Sequence, residues 1–294
     1  MTERLADTEA EDETTRGLDM LETEALVAAL IGAQRRALDA VAENAGGFGR
    51  VVEAIVDRIH QGGKVHYIGA GTSGRLAVLD AAEMPPTFGT PRDLICAHIA
   101  GGERALREAI EGAEDDAVAG ASEIENHVNG GDAVIGISAS GGAPYVVAAI
   151  ETARRRGAFT AAIVNSEGSP LAAAAEIGLV LRTGAEAIAG STRMKAGTAQ
   201  KIALNTISTA VMVRLGKVHG NLMVDVVATN EKLRARATRL VRAIAGVSTE
   251  RASTLLAQAN GSVKVAIVIA LRNVDAAQAR DLLAQQHGRL RPLL

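Results

Sequence analysis

The sequence predicts an α/β protein: a parallel five-stranded sheet flanked by helices, with N-terminal helices before it and a small C-terminal helical module after it. Three observations carry this expectation. Apolar runs at residues 65–68, 94–99, 133–137, 160–164 and 179–181 are continuous rather than alternating, as suits strands buried on both faces. Helix-length stretches separate them, and strand–helix alternation is the pattern of parallel sheets. The first run, Val65-His66-Tyr67-Ile68, breaks into a glycine turn that opens directly into an Ala/Leu-rich helix. On this reading residues 1–50 form an N-terminal arm and helix, 51–218 the sheet domain, and 219–294 a helical linker and C-terminal module.

The elements follow in order. Residues 1–17 are polar and acidic, the composition of a loosely held arm unless a partner chain ties it down. Leu26, Leu30, Leu38 and Val41 recur at helical spacing, and Gly46-Gly47 marks a break before the first strand. After the fifth run, residues 184–201 are dense in polar groups. A long helical stretch to about Val241 is then expected to carry Lys217, His219, Asn221, Asp225, Asn230, Glu231 and Lys232. In the tail Ser248 is a candidate N-cap, and Asp275 with Gln278 a candidate capping box.

Composition excludes several functions. The 294 residues are 48% hydrophobic and 22% charged, enough for one main core plus an appendage. Aromatic residues make up only 2% with no Trp, so close helix packing has to fill the core. A net charge of −3 provides no basic field for nucleic acid or an anionic membrane. Cys96 is the single cysteine, expected as a buried small hydrophobe, and one cysteine excludes a disulfide within the chain. No apolar run approaches membrane-spanning length, and the acidic start lacks a signal core, so a cytoplasmic protein is expected.

The chemistry concentrates in the loops beyond the strands. Gly69, Ala70, Gly71, Thr72, Ser73 and Gly74 aim free backbone amides and the positive end of a helix at one place, a seat for phosphate. A dinucleotide site would want an acidic residue near the end of the second strand, where residues 96–100 offer none. Thr72 and Ser73 favour hydroxyl capture of a monophosphate instead. The loop after the third run, from Ser138 through Ser140 and Gly141 to Pro144, offers the same hydroxyls, glycines and a helix-starting proline. Glu83 ends the first helix ahead of Pro85-Pro86, where a carboxylate opposes the helix dipole. Glu114 stands among Glu103, Glu108, Glu111, Asp115 and Asp116, and the charge pattern gives no reason to single it out. His66 and His219 read as packing or hydrogen-bonded histidines, and no grouping has metal-ligand spacing, so no metal is expected.

Four stretches resemble the N-acetylmuramic acid 6-phosphate etherases, a family that shares the sugar isomerase (SIS) fold and is similar to the glucokinase regulatory protein. They are residues 68–89 (IGAGTSGRLAVLDAAEMPPTFG), 99–116 (IAGGERALREAIEGAEDD), 184–201 (GAEAIAGSTRMKAGTAQK) and 216–233 (GKVHGNLMVDVVATNEKL). The resemblance implies cleavage of the D-lactyl ether of N-acetylmuramic acid 6-phosphate by elimination and water addition, with no metal or organic cofactor. It also implies a homodimer. It makes Glu83 the proton donor and selects Glu114 as the second catalytic carboxylate, a glutamate in the sheet crevice being raised in pKa by desolvation and the substrate phosphate. Phosphate is expected on Ser73, Ser138 and Ser140 with the amides of Gly71, Thr72 and Gly141; Ser191, Thr192 and Lys195 are candidates for sugar or phosphate contact. The chain departs from the family pattern in two places. Gly142-Ala143-Pro144 stands where Arg-Thr-Pro is usual, and Asp12 where an asparagine usually follows Thr8-Glu9. An aldose–ketose isomerase and a non-catalytic sugar-phosphate sensor are the rival readings.

Overall fold

Residues 7–226 and 231–294 are described by the computed structural model of the chain. Short 3-10 turns at Asp7–Glu9, Glu13–Thr15 and Leu18–Met20 lead into α1 (Thr23–Ala33), α2 (Arg35–Ala42) and α3 (Ala45–His60). Then come β1 (Val65–Gly69), α4 (Gly71–Phe88), β2 (Ile95–Ile99), α5 (Ala117–His127), β3 (Ala133–Ser138), α6 (Pro144–Arg155), β4 (Phe159–Val164), α7 (Pro170–Ala174) and β5 (Ile177–Val180). The chain continues through α8 (Lys195–Arg214), a hairpin of β6 (Val218–His219) and β7 (Leu222–Met223), and α9 (Glu231–Ala245). It closes with α10 (Thr249–Gln258), α11 (Val263–Arg272) and α12 (Ala276–Gln285).

Each of the five apolar runs forms a strand of one parallel sheet, in the order β2-β1-β3-β4-β5. β1, β3 and β4 are buried along their whole length, which is why their residues are apolar without alternation. The chain steps outward from β1 to β2 and then returns across β1 to β3. The order therefore reverses at β1, and loops beyond the carboxyl ends of strands at such a reversal line a ligand crevice.

Two compact units are distinguished. One takes the chain up to Ala82 together with Asp93–Ser208, so the N-terminal helices belong with the sheet; the other takes Glu83–Arg92 and Thr209–Leu294. In the sheet unit, Ile68, Val134 and Val164 pack with Ile124, Val146 and Ile150. Small residues replace aromatics as the means of close packing: a Cβ on Gly120 of α5 would stand 2.0 Å from the carbonyl oxygen of Tyr145 on α6. In the second unit, Val224, Leu240, Leu255, Ile267 and Leu283 form a separate core. Ser248 caps α10, and Asp275 with Gln278 forms the expected capping box on α12.

Three expectations are corrected. The helical stretch toward Val241 is interrupted: α8 stops at Arg214, and Gly216 at φ +75° sits in a C-terminal turn, its N–H donating to Val213 O and that of Lys217 to Met212 O. Lys217, His219, Asn221 and Asp225 lie in or beside the hairpin that follows, Glu231 and Lys232 start α9, and Asn230 lies outside the described residues. The helix bearing Glu83 does not end before the prolines but runs through Pro85 and Pro86 to Phe88, with Met84 and Phe88 buried. Burial of that last turn outweighs the helical hydrogen bonds that proline nitrogens cannot make. Among the described residues, 7–17, the acidic arm is not loose. Thr8 is fully buried with its carbonyl accepting from Gly190 N–H, and the Thr15 hydroxyl donates to Ala187 O.

Candidate active site

The first loop is shaped by what glycine permits. Gly74 lets α4 lie against β1, since a Cβ there would meet Ile99 Cγ1 at 2.6 Å and Gly69 O at 2.8 Å. The N-terminal amides of α4 thereby open beyond the carboxyl ends of β1 and β2, onto a cavity of about 190 Å³ lined by Gly71, Arg75, Ala100, Glu108, Ile110 and Glu114 among others. The Arg75 guanidinium donates to the carbonyls of Ala105 and Glu108, 2.9 Å each, and so ties the 3-10 turn Glu103–Leu106 to α4. Glu114 stands on the next 3-10 turn, Ala113–Asp115, entered through Gly112 at φ +71° and left through Asp116, whose carboxylate caps α5 by accepting from Ala119 N–H. A helix start and a guanidinium, both electropositive, thus share one small cavity with three glutamates, Glu108, Glu111 and Glu114.

The remaining predicted residues are not among those that line it. Ser73 is buried, and its hydroxyl donates to Gln200 Oε1 at 2.8 Å; Gln200 in turn donates to Asn165 Oδ1 at 3.0 Å. Thr72 reaches the same place, because a Cβ on Gly197 would lie 3.4 Å from its methyl and 3.3 Å from Thr192 O. Asp80, one face further along α4, accepts from Asn205 and Ser208 of α8, and burial pushes its carboxyl above the usual range against those bonds. In the β3 loop the Ser138 and Ser140 hydroxyl oxygens accept from Gly141 N–H and Gly142 N–H. Gly141 sits at φ +69°, with Ser169 Oγ 2.4 Å from where a Cβ would be.

Lys195 opens α8, whose first amides, those of Lys195 and Ala196, donate to the fully buried Glu186 carboxylate at 2.9 and 2.8 Å. Its ammonium lies 3.3 Å from Asp12, on a second cavity of about 460 Å³ shared with Arg36, Arg182 and Thr183. Hydrogen bonds from the Thr14 hydroxyl and amide, and then Lys195, hold the Asp12 carboxyl below its usual range despite partial burial. Ser191 and Thr192 are both half-buried in the turn ahead of α8, Thr192 O accepting from Gly197 N–H.

The structure therefore joins Gly71 and Glu114 in one cavity, sets Thr72, Ser73 and Thr192 against α8, and puts Lys195 in the other cavity. Ser73 spends its proton inside the protein on Gln200, and both Glu83 and Glu114 are exposed, so this chain alone does not desolvate them. Glu83 is not among the residues of either cavity. Cys96 is half-buried rather than buried, its thiol donating to Asp93 O. One grouping escaped the sequence reading: His98, Glu123 and His127 converge, the last two one helical turn apart on α5. Glu-x-x-x-His on a helix was the available signal; the third member comes from another strand.

Family comparison agrees with this architecture. The SIS domain family matches residues 116–210, and the glucokinase regulatory protein N-terminal SIS domain matches residues 48–154. Among solved structures, a protein of E. coli CFT073 aligns with TM-score 0.50 at 19% identity, covering 68% of this chain and 97% of that one. A phosphoheptose isomerase from Francisella tularensis aligns with TM-score 0.50 at 18% identity, covering 65% and 97%. Sheet order, loop placement and these matches define an SIS-domain protein. Over the whole chain the likeness is narrower. The N-acetylmuramic acid 6-phosphate etherase of Deinococcus radiodurans is 48% identical over 94% of this chain and 91% of its own length. Those of Geobacillus thermodenitrificans and Yersinia pestis are 45% and 46% identical, covering 100% and 97% of this chain and of themselves. The chain belongs to the N-acetylmuramic acid 6-phosphate etherase family, a family of enzymes.

Proposed function

We propose that this chain cleaves the D-lactyl ether of N-acetylmuramic acid 6-phosphate, giving N-acetylglucosamine 6-phosphate and D-lactate. The observation that carries the reading is full-length likeness, at 45% to 48% identity, to proteins bearing the etherase name. The cavity supports it chemically. Phosphate bound at the start of α4, near Gly71 and Thr72 and reached by the hydroxyls of Ser138 and Ser140 with the Gly141 amide, anchors the sugar and spends remote binding energy on alignment. Ser73 holds the loop through Gln200, and Ser191, Thr192 and Lys195 remain candidates for sugar or phosphate contact.

In the open-chain sugar the C1 aldehyde acidifies the C2 proton. A base removes that proton while an acid protonates the C3 ether oxygen; the C3–O bond breaks, lactate leaves, and a C2=C3 double bond forms in conjugation with the aldehyde. Water then adds its oxygen at C3 as a proton returns to C2, so the net change is hydrolysis. Glu83 is assigned as the acid on lactate and Glu114 as its complement, each transfer contributing ~10²–10⁴-fold. The chemistry consists of proton transfers and asks for no redox group.

We further propose a homodimer in which each site combines Glu114 of one chain with Glu83 of its copy. The single-chain cavity is smaller than the roughly 300–1,000 Å³ usual for small-molecule sites. α1 buries none of its residues, and Val27, Ile31, Met20 and Leu38 expose apolar surface that a second copy would cover. The charged substrate is retained within the cytoplasm, which is where the reading puts the enzyme.

Incubation with N-acetylmuramic acid 6-phosphate in ¹⁸O-water tests the reaction. Lactate release with the label on sugar C3 is expected, and Glu83→Gln is expected to lower kcat at least ~10²-fold with KM little changed. Ketose formation without lactate, or binding without turnover, would overturn the reading.

A further inference from the structure

None of the residues lining the two cavities belongs to the histidine cluster beside the sheet. There, His98 of β2 and Glu123 and His127 of α5 bring their ligand atoms within 4.8 Å of one another. We propose that these three side chains bind a divalent transition-metal ion of the zinc class, which clips β2 to α5.

The donor set fits. Two imidazoles and one carboxylate are ligands zinc accepts, with a fourth position left to water. His98 Nδ1 lies 2.7 Å from Glu123 Oε1; His127 Nδ1 lies 3.4 Å from the same oxygen and donates to Glu123 O at 2.9 Å, a hydrogen bond the ring must release for this nitrogen to ligate. Ligands bonded at about 2.0–2.2 Å in a tetrahedral shell stand about 3.4 Å apart, so the His127–Glu123 pair already has the spacing, the His98–Glu123 pair opens by less than an ångström, and the His98–His127 pair lies within 4.8 Å. The short pair is held by a hydrogen bond, the place an ion would take.

The second observation lies behind the cluster. His66 is buried and stacked on His98 with ring centroids 5.3 Å apart, its Nδ1 3.0 Å from His98 Nε2. Its other nitrogen, Nε2, has no hydrogen-bond partner, although Asp132 Oδ2 is 3.6 Å away. Proton placement accounts for this orphan. With both rings neutral, His98 Nδ1–H donates to Glu123, so His98 Nε2 accepts from His66 Nδ1–H. His66 Nε2 then presents a lone pair to a carboxylate, acceptor against acceptor. A metal on His98 Nδ1 reverses the order: His98 Nε2–H donates to His66 Nδ1, and His66 Nε2–H faces Asp132. Both rings change tautomer, no proton is lost, and the buried nitrogen gains its partner. A carboxylate–histidine chain behind a ligating histidine is the usual support of a bound metal.

The position has a structural consequence. His98 immediately precedes the segment carrying the Arg75-bound turn and Glu114, and Glu123 and His127 follow it. An ion held by both sides closes that loop and lowers its freedom.

The test uses the untagged full chain after chelator treatment, titrated with Co²⁺ or Zn²⁺ alone. One Co²⁺ per chain with visible tetrahedral ligand-field bands is expected, with displacement by Zn²⁺ and a rise in Tm. His127→Ala, at a half-exposed ring, should weaken binding at least tenfold. His66→Gln, which touches no metal, should weaken it about 10–100-fold. Cys96→Ser should leave it unchanged. Hydrogen exchange across residues 99–120 should slow when Zn²⁺ is added to the wild type. Absence of a Co²⁺ spectrum and of a Tm shift, or undiminished affinity in His127→Ala, would refute the site.

Discussion

Asp12 shows how much one substituted side chain settles. An asparagine at this position could accept from Thr14 but could not pair ionically with Lys195, whereas the carboxylate does both and pins the arm to the start of α8. Because its folded pKa is lowered, the stabilisation is complete above the unfolded value of about 3.9 and is lost as pH falls through the lower folded value. Amide protection at Gly190, which donates to Thr8, should therefore drop in that acid range. Asp12→Asn should give the same loss at neutral pH, about 1 kcal/mol of arm docking. Protection that is pH-independent in the wild type would contradict the role given to the carboxylate.

At the scale of the element, α4 is the unusual member. It starts on glycines that admit an anion, and it carries two prolines inside its last turns. Interior proline costs a helix about 3 kcal/mol, so the sequence keeps a defect where an alanine would be more stable. Pro85 and Pro86 leave the turn that bears Glu83 without two of its helical hydrogen bonds. The double substitution Pro85→Ala/Pro86→Ala should raise Tm while lowering kcat. A variant both more stable and fully active would show that the prolines serve something else. α8 is the contrasting case, regular from its buried Glu186 cap to the glycine turn at Gly216, and its Gln200 braces the loop that α4 begins.

For the molecule as a whole, the decisive question is where the two glutamates meet. Mixing inactive Glu83→Gln and Glu114→Gln subunits tests the proposed shared site. In a two-fold dimer each mixed pair regains one intact site, so random reassortment should restore about a quarter of wild-type activity. Mixtures that stay inactive would place both carboxylates on one chain. Size-exclusion measurements of Ile31→Asp, which puts charge on the exposed face of α1, should show dissociation if that face is the interface.

Continuous apolar runs, glycine turns and capping residues are local signals, and the sequence by itself determined the sheet, its loops and the C-terminal caps. The family motifs added the reaction. What the sequence did not determine depends on pairing between distant segments. Thr8 and Asp12 read as solvated because their partners near 190 and 195 lie far along the chain, and Glu83 read as a helix end because burial of Met84 and Phe88 is invisible to a proline rule. The histidine cluster escaped for the same reason. A strand contributes His98 and a later helix Glu123 and His127, and only the parallel crossover brings them within bonding range. Local preferences act over a few residues, whereas a site is made by chain reversal; tertiary structure alone decides which side chains share a space.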